Sequence, residues 1–272
     1  MHRIVKKSFG PVRTVHLGYG PIGPPLMGVY FYYLDGVLID TGQSNMRRHA
    51  LAALEGLPIH AILLTHHHED HSGNAAAFQN QSRAPVYGHA LAAAKLARGY
   101  PILPYQRLVW GRSARLRVVP FPDRIESGPY RLEPVATPGH SKDHMVFLEK
   151  NQGWLFAGDL FIGERIKFFR SDENIHQQID SLEKVLALDF DALFCAHNPC
   201  PQNGKRHLAR KLDFLRELRE KVGDLNGRGY PEKEIIRRLD PRTDRQVKWI
   251  TMGNASFANM VRSALRPAHA SP

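Results

Sequence analysis

Cysteine is scarce in this chain of 272 residues: Cys195 and Cys200 are the only two. Two thiols cannot build a disulfide framework, so the core must hold the fold, and a reducing compartment is expected. Long apolar runs are missing as well. The greasiest stretch, Leu26–Leu34, falls far short of the roughly 20 residues that a membrane span needs. Met1–Lys7 carries positive charge with no apolar segment behind it, which argues against a secretory signal. A cytoplasmic protein without membrane contact is the expectation. Acidic residues are outnumbered, 26 against 37 Lys and Arg, for a formal net charge of +11. That excess is uneven: residues 1–200 contribute +3 and residues 201–272 the other +8. A basic C-terminal region suits an anionic partner but does not name one. Hydrophobic content of 43% and charged content of 23% exclude wholesale disorder.

What the chain has in plenty is histidine, 15 in all. The surrounding pattern is short strands and a few helices. Arg13–Leu17, Met27–Leu34 and Val37–Asp40 read as strands, the last two joined by an Asp35-Gly36 hairpin turn. Ser44 or Asn45 is placed to cap a helix through Leu54, and Ile59–Leu64 reads as a strand. Helices are expected near Gly73–Phe78 and at Ala90–Arg98, with a strand at Pro85–Tyr87 between them. Leu116–Pro120, Tyr130–Ala136, His144–Leu148, Trp154–Ala157 and Ala192–Ala196 are further strand candidates. Ile175, Ile179, Leu182 and Leu186 mark the clearest amphipathic helix, with Asp172 placed to cap it. After Pro201 the pattern turns helical and basic. Leu208, Leu212, Leu215, Leu218 and Val222 form one stripe; Ile235, Ile236 and Leu239 form a second; Ser256 is placed to cap a third helix. The expected division is a catalytic domain over 1–204 and a basic helical appendage over 205–272.

The chemistry concentrates in Thr65-His66-His67-His68-Glu69-Asp70-His71, directly after a strand and before a small-residue helix. In an extended loop His66 and His68 project to one side, while Asp70 and His71 face a second point one turn on. That layout suits two adjacent metals with nitrogen and carboxylate donors. A chance H-x-H-x-D-H has a probability on the order of 0.2% at this composition, so a solvated His-rich turn is the weaker reading. His140, Asp159 and His197 each follow a strand candidate, where functional side chains concentrate. They supply three more donors, enough to complete two sites.

With those residues in order, the chain resembles the metallo-β-lactamase superfamily. The resemblance covers about residues 12–200. It implies an α/β fold, an αββα sandwich of two mixed sheets with the metals at one edge. It implies His66, His68 and His140 on the first metal, Asp70, His71 and His197 on the second, and Asp159 bridging both with a shared water or hydroxide. Two divalent ions are implied, Zn2+ first, with Mn2+ or Fe2+ as alternatives. Asp40, in Leu38-Ile39-Asp40-Thr41-Gly42, matches the family's early Asp that supports ligand histidines. His144 is expected to support the site or the fold rather than to ligate. The triple histidine and Gly158-Asp159-Leu160-Phe161 are similar to glyoxalase-II-like thioester hydrolases. Thr137-Pro138-Gly139-His140-Ser141 with His144 is closer to β-lactamase-like endoribonucleases. The departure is His197-Asn198-Pro199, where most members place Gly after the His. Only 37 residues separate Asp159 from His197, which excludes the nucleases with a large inserted domain.

Two reactions follow. In the first, a metal-bridging hydroxide attacks an ester, thioester or lactone of a small anionic substrate. A thiolate leaves without help, whereas an alkoxide needs an acid, for which Asp70 or a metal-bound water is the nearest candidate. In the second, the same pair cleaves a phosphodiester such as RNA, with the basic appendage and Arg112, Arg115 and Arg117 on phosphates, although a solvated charged face is the favoured reading of those residues. A non-catalytic metal-binding regulator and oxygen chemistry at a single iron are the readings from other classes. The appended helices are expected to wall the pocket or to mediate a homodimer.

Overall fold

The structure, a computed structural model, describes residues 1–21, 23–25, 27–240 and 245–267. The start of the Leu26–Leu34 run therefore lies outside the described residues. One sheet runs β1 (His2–Phe9), β2 (Val12–Tyr19), β3 (Gly28–Leu34), β4 (Val37–Ile39), β5 (Ala61–Leu63) and β6 (Val86–Tyr87) in spatial order. Its first four strands are antiparallel; β4, β5 and β6 are parallel. The second sheet contains β7 (Ile125–Ser127), β8 (Tyr130–Ala136), β9 (Met145–Glu149), β10 (Trp154–Gly158) and β12 (Ala192–Cys195). Here β12 lies beside β10 and parallel to it. A small ribbon pairs β11 (Phe169–Arg170) with β13 (Ala255–Ser256).

Strand alternation builds three apolar layers, because successive side chains point to opposite faces. Tyr32, Ile39 and Leu63 of the first sheet meet Phe147, Phe156 and Phe194 of the second between the sheets. On the outer face of the first sheet, Phe31, Leu38 and Ile62 pack under α1 (Arg47–Ala53), α3 (Ala75–Ser82) and α4 (Ala90–Arg98). On the other side, Leu148, Leu155 and Leu193 pack under α6 (Ile175–Leu186), α7 (Gly204–Gly227) and α10 (Phe257–Leu265). The result is an αββα sandwich. On α6 the buried stripe is Ile175, Ile179, Leu182 and Val185, each contributing about 1.5–3 kcal/mol by burial. Shorter helices complete the order: α2 (Glu69–Ser72), α5 (Pro104–Val109), α8 (Glu232–Leu239) and α9 (Arg245–Ile250).

Several local expectations change. Asn174, not Asp172, caps α6, its side chain accepting from the N–H groups of His176 and Gln177. Asp172 instead accepts from Arg170 Nε. Neither Ser44 nor Asn45 caps α1; they sit in a short 3-10 turn. Leu116–Pro120 is no strand, and only Val119 bridges to Tyr87. Strand β1 escapes a pattern-based reading because it is a mostly exposed edge with charges at Arg3, Lys6 and Lys7, a composition that discourages further pairing.

Register places the functional ends together. In the parallel pair β4–β5, Ile39 faces Leu63, so Asp40 emerges beside Thr65. In the parallel pair β10–β12, Gly158 faces Cys195, so Asp159 emerges beside His197. The sheets are tied at this edge by Tyr30 N–H to Ala196 O (2.6 Å) and by the Tyr32 hydroxyl to Cys195 O. Both sheets thus deliver their donors to one rim.

Candidate metal centre

Beyond β5 the chain turns sharply, and His68 leads into the single turn α2. The expected donors meet in two groups, His66 with His68 and His140, and Asp70 with His71, Asp159 and His197. Within each group the ligating atoms lie within 4.8 Å of one another. In the first group His66 Nε2 lies 2.7 Å from His68 Nδ1, and His140 Nε2 lies 3.1 Å from the same atom. In the second, His197 Nε2 is 3.5 Å from Asp70 Oδ2 and 3.4 Å from Asp159 Oδ1. Asp159 faces both: its Oδ1 is 3.3 Å from His71 Nε2, its Oδ2 3.3 Å from His140 Nε2. All seven side chains are buried or nearly so.

Outer hydrogen bonds decide which ring nitrogen is free. Asp40 Oδ2 accepts from His71 Nδ1 (2.7 Å) and from the Thr65 hydroxyl (2.8 Å). Having given its proton to Asp40, Thr65 Oγ1 can only accept from His66 Nδ1 at 3.0 Å. His197 Nδ1 donates to Gly28 O at 2.8 Å, and His140 Nδ1 faces Glu173 Oε2 at 3.4 Å. In each of these rings, when neutral, the proton sits on Nδ1 and the Nε2 lone pair points into the centre. Among the described residues the buried His71 Nε2 and Asp159 Oδ1 lack a hydrogen-bond partner. Such orphaned acceptors fit metal coordination.

The field is also suited to cations. Burial, reinforced by neighbouring cationic groups, keeps His66 and His68 well below the usual histidine range. Burial opposes charge on His71 too, yet Asp40, Asp70 and Asp159 raise it well above that range. His197 is pushed up to about 10 against its burial, chiefly by Asp159. Asp159 stays well below the usual carboxylate range despite burial, held there by His197, His71 and His140. The second group therefore attracts positive charge, and a divalent ion would displace those protons.

The remaining site residues have distinct places. His144 Nε2 accepts from the Asp159 N–H at 3.0 Å, and its Nδ1 donates to Thr137 Oγ1, so it sets the Asp159 backbone. His67 points away: Nδ1 donates to Asp143, and Nε2 accepts from Lys95 Nζ at 2.9 Å. No sequence motif announces Glu173. Its Oε1 accepts from Arg170 N–H and its Oε2 from Gln178 Nε2, beside His140. Lys211 on α7 is equally unannounced. It is 1% exposed, and its Nζ donates to Leu160 O at 2.7 Å.

A cavity of about 310 Å³ opens beside the donors, with His68, Asp70, His140, Asp159 and His197 on its lining. Its walls are mostly apolar: Val109 and Trp110 at the end of α5, Ile162, Ile166 and Phe168, and Val247 and Ile250 of α9. The Tyr105 hydroxyl accepts from Asn254 Nδ2 (2.7 Å), joining the α5 wall to the turn after α9.

Residues 26–197 match the Metallo-beta-lactamase superfamily. The chain belongs to that superfamily. A hydroxyacylglutathione hydrolase of Hahella chejuensis is 29% identical over 204 residues, 72% of this chain and 71% of that one. An atrochrysone carboxyl ACP thioesterase of Aspergillus fumigatus is 27% identical over 234 residues, 78% of this chain and 68% of that one. A solved metallo-beta-lactamase family protein of Thermus thermophilus superposes with a TM-score of 0.66 at 23% identity, covering 93% of each chain. At that identity the likeness concerns the fold. Among the described residues no helix is long and apolar enough to cross a membrane.

Proposed function

We propose that this superfamily member is a dinuclear metal-dependent hydrolase of carboxylic thioesters. His66, His68 and His140 hold one divalent ion, Asp70, His71 and His197 the other, and Asp159 is shared. The supporting observation is the single Asp159 carboxylate, with one oxygen toward each donor group. Mixed imidazole and carboxylate donors suit zinc. Two such ions would supply a water ionised near neutral pH and a Lewis-acidic contact for the carbonyl oxygen.

The chain's own residues do the rest. The apolar walls exclude bulk water and strengthen every charge interaction at the floor. The lining carboxylates, Asp70, Asp159 and Glu173, are all committed to the donor cluster or its supports. Asp70 is held ionised by His71 and His197 against its burial. Among the described residues no lining carboxyl is free to protonate an alkoxide. A thiolate leaving group needs no such proton, which favours thioesters over alkyl esters. The relatives named for hydroxyacylglutathione and thioester hydrolysis support the same direction.

The test is a panel of thioesters, lactones and bis-p-nitrophenyl phosphate, run with metal analysis on one sample. Thioester turnover with two ions per chain is expected. Turnover on the phosphodiester alone, or one ion per chain with full activity, would sink this reading.

A further inference from the structure

Between Asp70 and Asp123 lie 52 residues without a single Asp or Glu, yet with seven Lys and Arg. The fold gathers three of those cations. Arg98, Arg112 and Arg115 line one concave pocket of about 400 Å³ together with Tyr100 and Ser113. Among the described residues no carboxylate lines it. None of the three guanidinium groups has an ion pair or a side-chain hydrogen bond among the described residues, although exposed ion pairs form readily elsewhere, as at Arg216–Glu183. Arg98 ends α4, whose C-terminus carries about half a negative charge, too little to balance three guanidiniums. Gly99, with φ +76°, keeps the approach open: a Cβ there would lie 3.2 Å from Arg115 Nε.

The position of the pocket matters as much as its charge. Residues 98–102 and 112–115 are the two segments that enter and leave the α5 lobe, and α5 itself walls the catalytic cavity. The stretch between the two pocket segments contains α5, so cavity and pocket share that lobe. Both pocket segments are fixed to the metal-binding loop: the Tyr100 hydroxyl donates to His67 O, and Ser113 Oγ meets Ser72 Oγ, each at 2.7 Å. An anion held there is thereby kept in register with the metal centre.

We propose that Arg98, Arg112 and Arg115 form a binding site for phosphoryl groups, and that its occupant is the phosphorylated end of the substrate's thiol carrier. Planar guanidinium forks match phosphoryl oxygens two at a time. The carrier's arm would run along the α5 lobe, with the thioester at the metals and the phosphates at the arginines. The identity of the carrier rests on the thioester reading above; the anion site does not.

The metal-loaded wild type and the surface variant Arg98→Gln/Arg112→Gln/Arg115→Gln are compared by calorimetric titration with adenosine 3′,5′-bisphosphate. The metals are common to both, so the difference reports the arginines. Binding weaker by about 10- to 100-fold is expected in the variant; equal affinity overturns the site. In kinetics, a coenzyme A thioester and the N-acetylcysteamine thioester of the same acyl group are paired. The variant is expected to raise KM for the first alone, leaving kcat and the second substrate unchanged. A coenzyme A preference that survives in the variant overturns the carrier assignment. Arginine-dependent bisphosphate binding without hydrolysis of either thioester upholds the anion site and sinks the thioester reading instead. Arginine-dependent binding of single-stranded RNA, tighter than that of the bisphosphate, replaces the carrier with nucleic acid and overturns the proposal.

Discussion

Asp40 Oδ2 lies 2.7 Å from Nδ1 of His71, and the same oxygen accepts the Thr65 hydroxyl at 2.8 Å. One carboxylate so orients two of the donor rings, His71 directly and His66 through Thr65. Asp40 does this from a left-handed backbone, φ +57°, which Asp and Asn tolerate better than most residues.

Asp40→Asn keeps that backbone but replaces one acceptor oxygen with a donor. The amide nitrogen must then face either the Thr65 N–H or His71 Nδ1, and facing His71 moves that ring's proton onto Nε2. Affinity for the second ion is expected to fall about 10- to 100-fold, while the fold persists. Competition with a fluorescent chelator measures it; unchanged affinity for both ions would count against the Asp40 role.

Glu173→Ala removes the carboxylate beside His140 Nδ1 and frees the ring to rotate. Loss of the first ion by about 10-fold or more is expected, with Glu173→Gln retaining most of the affinity because an acceptor oxygen remains. Metal analysis after graded dialysis separates the two variants.

Lys211 predicts a pH dependence with a definite sign. Burial pushes its ammonium down to about 8, whereas an unfolded lysine titrates near 10.4. Between these values the unfolded chain binds more protons than the folded one, so stability rises with pH across that window. Below pH 8 the full cost applies, about 3 kcal/mol. Melts of metal-stripped protein should show the wild type gaining on Lys211→Met from pH 8 to 10.4. A constant difference would refute the assignment.

Asn259 Nδ2 donates to Phe169 O, Gly253 O and Asn254 O, fixing the turn that closes one side of the cavity. Asn259→Ala is expected to cost about 1–3 kcal/mol, since the buried Phe169 carbonyl and two half-buried ones lose their donor. Urea denaturation reads this directly. The same variant should weaken the Tyr105–Asn254 link and raise KM more than it lowers kcat.

Much of this protein is legible from its sequence, and the reason is local. The run from His66 to His71 brings four donors together within six residues, because a loop and one helical turn suffice to aim them. Strand alternation around Tyr32, Phe147 and Phe156 and the stripe on α6 state the layers, since burial follows period. Tertiary structure alone decided the rest. Glu173 meets His140 from the turn that precedes α6, a contact between residues 33 positions apart. Lys211 reaches Leu160 only because α7 packs across the second sheet. The three arginines of the α5 lobe converge from segments that no periodicity links. The candidate donor histidines take their tautomers from Asp40, Thr65, Gly28 and Glu173, partners set by strand register and sheet packing. Sequence spacing places donors near one another along the chain; only packing brings together the distant groups that orient them.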